Sequence, residues 1–162
     1  NDTTRNSITG GVLALGQYPG EFEKLKADPS LVRNMVAEII RWQTPVTYMR
    51  RTALEDDDFE GHKIREGDKV AMWYASGNRD PEVFESPHEL RIDRENARAH
   101  LSFGFGIHRC MRNRLAEMQL RVLWEELMAR VAAIEVVGEP VRNRSTLIKG
   151  YQSLPVVIKR KQ

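Results

Sequence analysis

The chain holds one cysteine, Cys110, in the run Phe103-Gly104-Phe105-Gly106-Ile107-His108-Arg109-Cys110, immediately before a long amphipathic helical pattern. A single cysteine excludes an internal disulfide framework, so the fold must rest on a hydrophobic core. Gly104 and Gly106 allow the backbone a tight turn and a close approach to something flat. The helix that follows directs its partial positive charge back toward the sulfur, which favours a thiolate. One thiolate can hold a metal centre from one side and leave the opposite side open for chemistry. Taken alone, a lone cysteine is more often a small buried apolar residue. Its neighbours decide between these roles.

At 162 residues the chain suffices for one ordinary domain with a real core. Its charge is nearly balanced, with 25 Lys+Arg against 23 Asp+Glu, which points to no polyanionic partner. No run is long and apolar enough to cross a membrane, and no signal-peptide pattern opens the chain. The expectation is a soluble, cytoplasmic protein. Asp2-Thr3-Thr4 runs straight into helical sequence, as expected of a piece that begins inside something larger.

The pattern predicts a helix over 3–16, ended by Tyr18-Pro19-Gly20, and a short polar helix over 21–27, stopped by Asp28-Pro29. Ser30 reads as the N-cap of a strong helix through Trp42, with Leu31, Val32, Met35, Val36, Ile39 and Ile40 in one apolar stripe. Residues 46–70 read as two β segments, 46–54 and 62–70, around an acidic turn over 55–61. A short helix is expected within 70–78, then a loop-like, charged stretch over 79–101. After Cys110, Leu115, Met118 and Val122, and likewise Ala116, Leu120, Leu123 and Leu127, recur at helical spacing, so that helix is expected to be central. Strands around 134–137 and 154–159 complete a mainly α, α+β arrangement.

The run from Phe103 to Ala116 resembles the heme-binding signature of the cytochromes P450. That signature has Phe, two glycines, a basic residue two before Cys and Leu-Ala five after it; Phe103, Gly104, Gly106, His108, Cys110, Leu115 and Ala116 match. The resemblance implies that residues 1–162 are the carboxy-terminal, heme-ligating portion of a single P450 domain. Cys110 is then the axial thiolate of heme b and His108 donates to a propionate. Two positions depart from the family. Arg112 stands where the family has a glycine that lets the next helix lie against the porphyrin, and Gln119 stands where many members carry Glu.

Further positions acquire roles by the same resemblance. Glu38 and Arg41, which alone suggest a surface ion pair, match a Glu-x-x-Arg element that joins a loop arginine, here Arg94, to support the cysteine loop. Asp2 and Thr3 match an acid–Thr pair that relays protons over the open face of the heme. Arg51 matches the strand arginine that pairs with a propionate; Arg50 points to the other face on alternation. Val46, Thr47, Leu147 and Ile148 match substrate-pocket segments, mostly apolar. Arg109, Arg112 and Arg114 form a basic patch suited to an acidic ferredoxin, itself served by a ferredoxin reductase. The wording over 49–56, 100–110 and 113–126 is similar to bacterial members that hydroxylate terminal carbons of medium-chain alkanes and fatty acids. The rival expectation is a non-catalytic fragment or variant that cannot hold heme because of Arg112 and a missing amino-terminal part. Zinc would need about four clustered ligands, whereas His62, His88, His100 and His108 are scattered. A thiol nucleophile would need an oriented base, and no orienting acid accompanies His108.

Overall fold

The computed structural model describes residues 2–161. Helix α1 spans Asp2–Gln17, α2 Pro19–Ala27, and α3 Val32–Gln43. Strand β1 (Met49–Thr52) is followed by β2 (Asp57–Phe59), β3 (His62–Ile64) and β4 (Lys69–Met72). A one-turn helix α4 (Tyr74–Gly77) leads into a long irregular stretch, and α5 spans Asn113–Arg130. Strands β5 (Val131–Val136), β6 (Val141–Arg142), β7 (Tyr151–Ser153) and β8 (Val156–Arg160) close the chain. The sheets are four antiparallel pairs: β1 with β4, β2 with β3, β5 with β8 and β6 with β7.

The core lies where α1, α3 and α5 meet. Ala14, Leu15, Met35, Val36, Ile39, Ile40, Leu120 and Trp124 are buried together there with Leu25 of α2 and Leu90 and Ile92 of the irregular stretch. The apolar stripe of α3 drives this, because its i, i+3 and i+4 spacing presents one continuous face. The face is so closely enclosed that the helix also buries Glu38, Arg41 and Gln43. Helix α1 can approach because Gly10 and Gly11 carry no side chain. A Cβ at Gly10 would lie 2.3 Å from Oε1 of Gln43, and one at Gly11 would lie 2.9 Å from Cδ1 of Ile39.

Several sequence expectations shift. The N-cap ahead of α3 is Asp28 rather than Ser30. Its carboxylate accepts from the Ser30 amide at 3.0 Å and opens a single 3-10 turn over Pro29–Leu31. The acidic segment 55–61 is partly strand, since β2 pairs with β3 around a tight turn at Glu60 and Gly61, whose φ is +83°. That hairpin is held by backbone pairing and turn geometry, with little burial. The first β segment does not reach Val46, which makes only an isolated bridge to Ile148. Helix α5 is less enclosed than its pattern suggests. Leu120 and Trp124 are buried, but Leu115, Met118 and Val122 stay nearly half exposed, because only one narrow stripe meets α1 and α3.

Gly10 offers a sign test of this packing. Alanine in a helix is favoured over glycine by about 1 kcal/mol, whereas overpacking a core costs about 1–3 kcal/mol. Gln43 cannot swing aside freely, because its Nε2 donates to the Lys149 carbonyl at 2.7 Å and its Oε1 accepts from the Tyr151 hydroxyl at 2.9 Å. Gly10→Ala is therefore expected to lower stability by up to about 2 kcal/mol in chemical denaturation. A gain would mean that Gln43 yields.

Candidate functional site

The irregular stretch after α4 has no regular structure to fix it, so side chains do that work. Glu38 and Arg41 share a flank of α3 by their i, i+3 spacing. Arg41 Nε donates to Glu38 Oε2 at 2.7 Å and Nη2 to Oε1 at 2.8 Å, a bidentate pair. Arg94 comes from the far end of the stretch and donates from Nε to both Glu38 oxygens at 3.1 Å. All three side chains are buried. The remaining guanidinium protons reach backbone carbonyls: Arg41 donates to Asn78, Pro87 and Glu89, and Arg94 to Glu85, Ser86 and Glu89. The Phe84 ring lies beneath both guanidiniums, at 5.1 Å and 5.9 Å from their carbons. Removing Glu38 would strand two buried cations, a loss of about 3–5 kcal/mol.

The stretch delivers a closed loop. The Gly104 amide donates to Leu101 O at 2.8 Å and the Cys110 amide to Phe103 O at 2.8 Å. Gly104 sits at φ +71°, a left-handed conformation that disfavours a side chain, and a Cβ there would lie 3.1 Å from the Tyr74 hydroxyl. Phe103 anchors the loop on the core, and Cys110 is exposed with a free thiol.

Cys110 opens onto a cleft of about 330 Å³. One wall is the loop itself, with Phe103, Gly104, His108 and Cys110, continued by Arg112, Leu115 and Ala116. The other walls carry Thr3, Thr4 and Ser7 of α1, Pro45 and Val46, Met49 and Arg51 of β1, and Tyr74. Alternation along β1 puts Met49 and Arg51 on the cleft face, while Arg50 is exposed. Thr3 is thus in the cleft; its carbonyl accepts from the Ser7 hydroxyl at 2.9 Å. Asp2 is not. It is exposed and pairs with Arg5 at 3.2 Å. Val46 lines the cleft, whereas Thr47, Leu147 and Ile148 stand beside it, where the Thr47 amide donates to Leu147 O at 2.9 Å. Thr4, Ser7, Tyr74 and Ser102 are lining residues that the sequence analysis did not single out. The recurrence of hydroxyls at Thr3, Thr4 and Ser7, on one helical face, is the signal that could have found the first two.

The donor set fits a flat, largely apolar ring bearing carboxylates and a metal. A sulfur projects from one wall, aliphatic and aromatic carbons form the faces, and Arg51 and His108 supply donors for acid groups. Arg112 is the exception. Its side chain borders the same cleft on the Cys110 side, while its backbone, at φ −98° and ψ 12°, suits any residue. The conflict is one of side-chain space, not of backbone strain. Among the described residues no three of His, Cys, Asp and Glu gather as a metal cluster, and no helix is long and apolar enough to cross a membrane.

A second, shallower cleft of about 180 Å³ is lined by Arg33, Arg98, Arg114 and Arg121, with Glu117 as its one acid. Arg109 and Arg112, also exposed, extend this basic character along the Cys110 loop.

His100 sits just before the loop, buried, with its ring 5.3 Å from Phe103 and Nδ1 accepting from the Ser102 amide at 3.3 Å. Burial first, then the positive charge of Arg109, pushes its pKa down from 6.5 to about 4. The folded state therefore excludes a proton that the unfolded chain takes up below pH 6.5, so stability present above that pH is lost as pH falls toward 4. The loss should be on the order of 2–3 kcal/mol. Denaturation at successive pH values should show a shallower slope in His100→Gln than in the wild type; equal slopes would contradict this.

Known proteins provide the comparison. The family model described as Cytochrome P450 matches residues 3–137. Linalool 8-monooxygenase of Pseudomonas putida is 44% identical over 158 residues, covering 98% of this chain and 39% of that protein. Methyl-branched lipid omega-hydroxylase of Mycobacterium tuberculosis is 42% identical, with 96% and 37% covered. Among solved structures, Cytochrome P450-153 from Novosphingobium aromaticivorans superposes with a TM-score of 0.94 at 49% identity, over 98% of this chain and 40% of that one. The chain thus spans about two fifths of the length of the relatives it matches.

Proposed function

The chain belongs to the cytochrome P450 family, with helices and small sheets of the carboxy-terminal part of that fold, and from that premise we propose that it is the heme-ligating portion of a single-domain monooxygenase. Its substrate is apolar, and the oxygen enters at a terminal carbon of a medium-chain alkane or fatty acid. Support for a hydroxylation comes from the names of two relatives, an 8-monooxygenase and an omega-hydroxylase, and support for a chain end from the second of them. Support for an apolar substrate comes from Val46, which borders the cleft, and from Leu147 and Ile148 beside it.

The observation that carries the proposal is a single cleft lined both by Cys110 and, from α1, by Thr3. Heme, held through Cys110, Arg51 and His108, would supply activation of O2 for insertion into a C–H bond, a chemistry that a thiolate ligand would favour. The chain's own residues do the rest. Cys110 supplies the sulfur ligand from a loop closed by two backbone bonds. Arg51 and His108, both lining the cleft, would hold the carboxylates of the ring. Thr3 would hold a proton at its hydroxyl in the cleft, and Asp2, on the solvent side beside Arg5, would replenish it. The arginines around 33, 98, 114 and 121, with Arg109, give an acidic ferredoxin, recharged by its reductase, a complementary face near the sulfur.

Reduced, heme-loaded protein should give the carbon-monoxide difference band of a thiolate-ligated heme, and Cys110→Ala should abolish it. A band retained in that variant would refute the ligand assignment.

The position of Arg112 favours a second reading, a family member impaired in holding heme. Heme content after reconstitution should be several-fold higher in Arg112→Gly than in the wild type, since removing the side chain frees the wall beside Cys110. Equal content would show that Arg112 is accommodated.

A further inference from the structure

The hydrogen bonds of Arg41 and Arg94 end on Glu38, Asn78, Glu85, Ser86, Pro87 and Glu89, none of which belongs to the 101–110 loop. The ion network therefore holds the irregular stretch without touching the segment that presents the sulfur. Something must join them. We propose that Asn78 is the positioning residue that ties the buried network to the cysteine loop and so fixes where the Cys110 sulfur stands. The role rests on Cys110 being the thiolate ligand.

Asn78 follows α4 directly and is fully buried. Its carbonyl accepts from Arg41 Nη1 at 2.7 Å, which is its link to the network. Its side chain faces the loop. Oδ1 accepts from the Leu101 amide at 2.6 Å, and Nδ2 donates to Ser102 Oγ at 2.8 Å. The second Nδ2 proton goes to Thr44 Oγ1 at 2.8 Å. Both hydroxyls pass their own protons to the last turn of α3: Ser102 Oγ donates to Ile40 O at 2.9 Å, and Thr44 Oγ1 to Arg41 O at 2.6 Å. One amide group thereby joins α3, α4 and the start of the loop, with every polar atom of its side chain satisfied.

The chemistry demands this residue. A neutral side chain of this length that donates twice and accepts once is an amide. Aspartate would bring an unpaired charge into a buried site, and leucine would leave the Leu101 amide without its acceptor. From there the restraint travels through the backbone. Leu101 O accepts from Gly104, and Phe103 O accepts from the Cys110 amide, so a shift at Leu101 and Ser102 is carried to the cysteine.

A purely structural asparagine would lower stability when replaced without singling out Cys110. Asn34 supplies the control, since its Nδ2 donates to Ile92 O and Arg94 O, both at 2.8 Å, and does not reach the loop. Amide hydrogen exchange on the chain without cofactor, and the thiolate-ligated share of the carbon-monoxide complex in heme-loaded protein, are compared in Asn78→Leu, Ser102→Ala and Asn34→Ala. Asn78→Leu should speed exchange at Leu101 and Cys110 by at least about tenfold, against less than about twofold for Asn34→Ala. The thiolate-ligated share should fall in Asn78→Leu and partly in Ser102→Ala, and stay at the wild-type value in Asn34→Ala. Should Asn78→Leu not fold, Ser102→Ala carries the same comparison with one of the Asn78 side-chain bonds removed, together with the bond from Ser102 Oγ to Ile40 O. Equal effects of the Asn78 and Asn34 changes, or an undisturbed Cys110 amide and thiolate share, would overturn the proposal. If the wild type lacks thiolate ligation, the monooxygenase assignment fails, while exchange still decides the role of Asn78.

Discussion

The carboxylate of Glu38 meets two guanidiniums inside the protein, and the long stretch between α4 and the cysteine loop takes its shape from that meeting. No strand ladder runs through the stretch; besides this network it has only single 3-10 turns, the core anchors Leu90 and Ile92, and separate side-chain bonds such as those of Asn34, Trp42 and Glu21. Placing three charges out of water is costly, and the arrangement survives because nearly every donor finds an oxygen. Arg41 and Arg94 spend their remaining protons on five separate carbonyls of the same stretch, so charge neutralisation and loop shape are one event. The Phe84 ring completes the enclosure.

Two close approaches then define the cleft. Helix α1 comes within contact of α3 across Gly10 and Gly11, which brings Thr3 and Ser7 to the side facing the cysteine loop. Gly104 folds the loop tightly against Tyr74. Strand β1 supplies Arg51 from a third direction by simple alternation. Elements distant in sequence thus converge on a single sulfur, each for a local reason.

The sequence carried much of this. The stripe on α3 marked the largest share of the core, and Phe103, Gly104, His108 and Cys110 of the quoted run line one cleft. The spacing of Glu38 and Arg41 suggested a pair, but only the family pattern added Arg94, because a contact across fifty residues has no period. Asn78 was illegible for a related reason: in a polar, proline-containing stretch, a buried asparagine reads like a solvated one. The strand Asp57–Phe59 looked like a turn because its composition is acidic and its stability comes from pairing, not burial. Along α5 the pattern recorded that Leu115, Met118 and Val122 are apolar, not what lies on them. Asp2 fell outside the cleft because Thr3, Thr4 and Ser7 share one flank of α1, and the step of about 100° from Thr3 back to Asp2 leads away from that flank.

The account turns on the bond between Cys110 and iron. X-ray absorption at the iron edge of heme-loaded protein measures it directly. One sulfur in the first coordination shell, absent in Cys110→Ala, is the predicted result; a shell of nitrogen and oxygen alone in the wild type would contradict it.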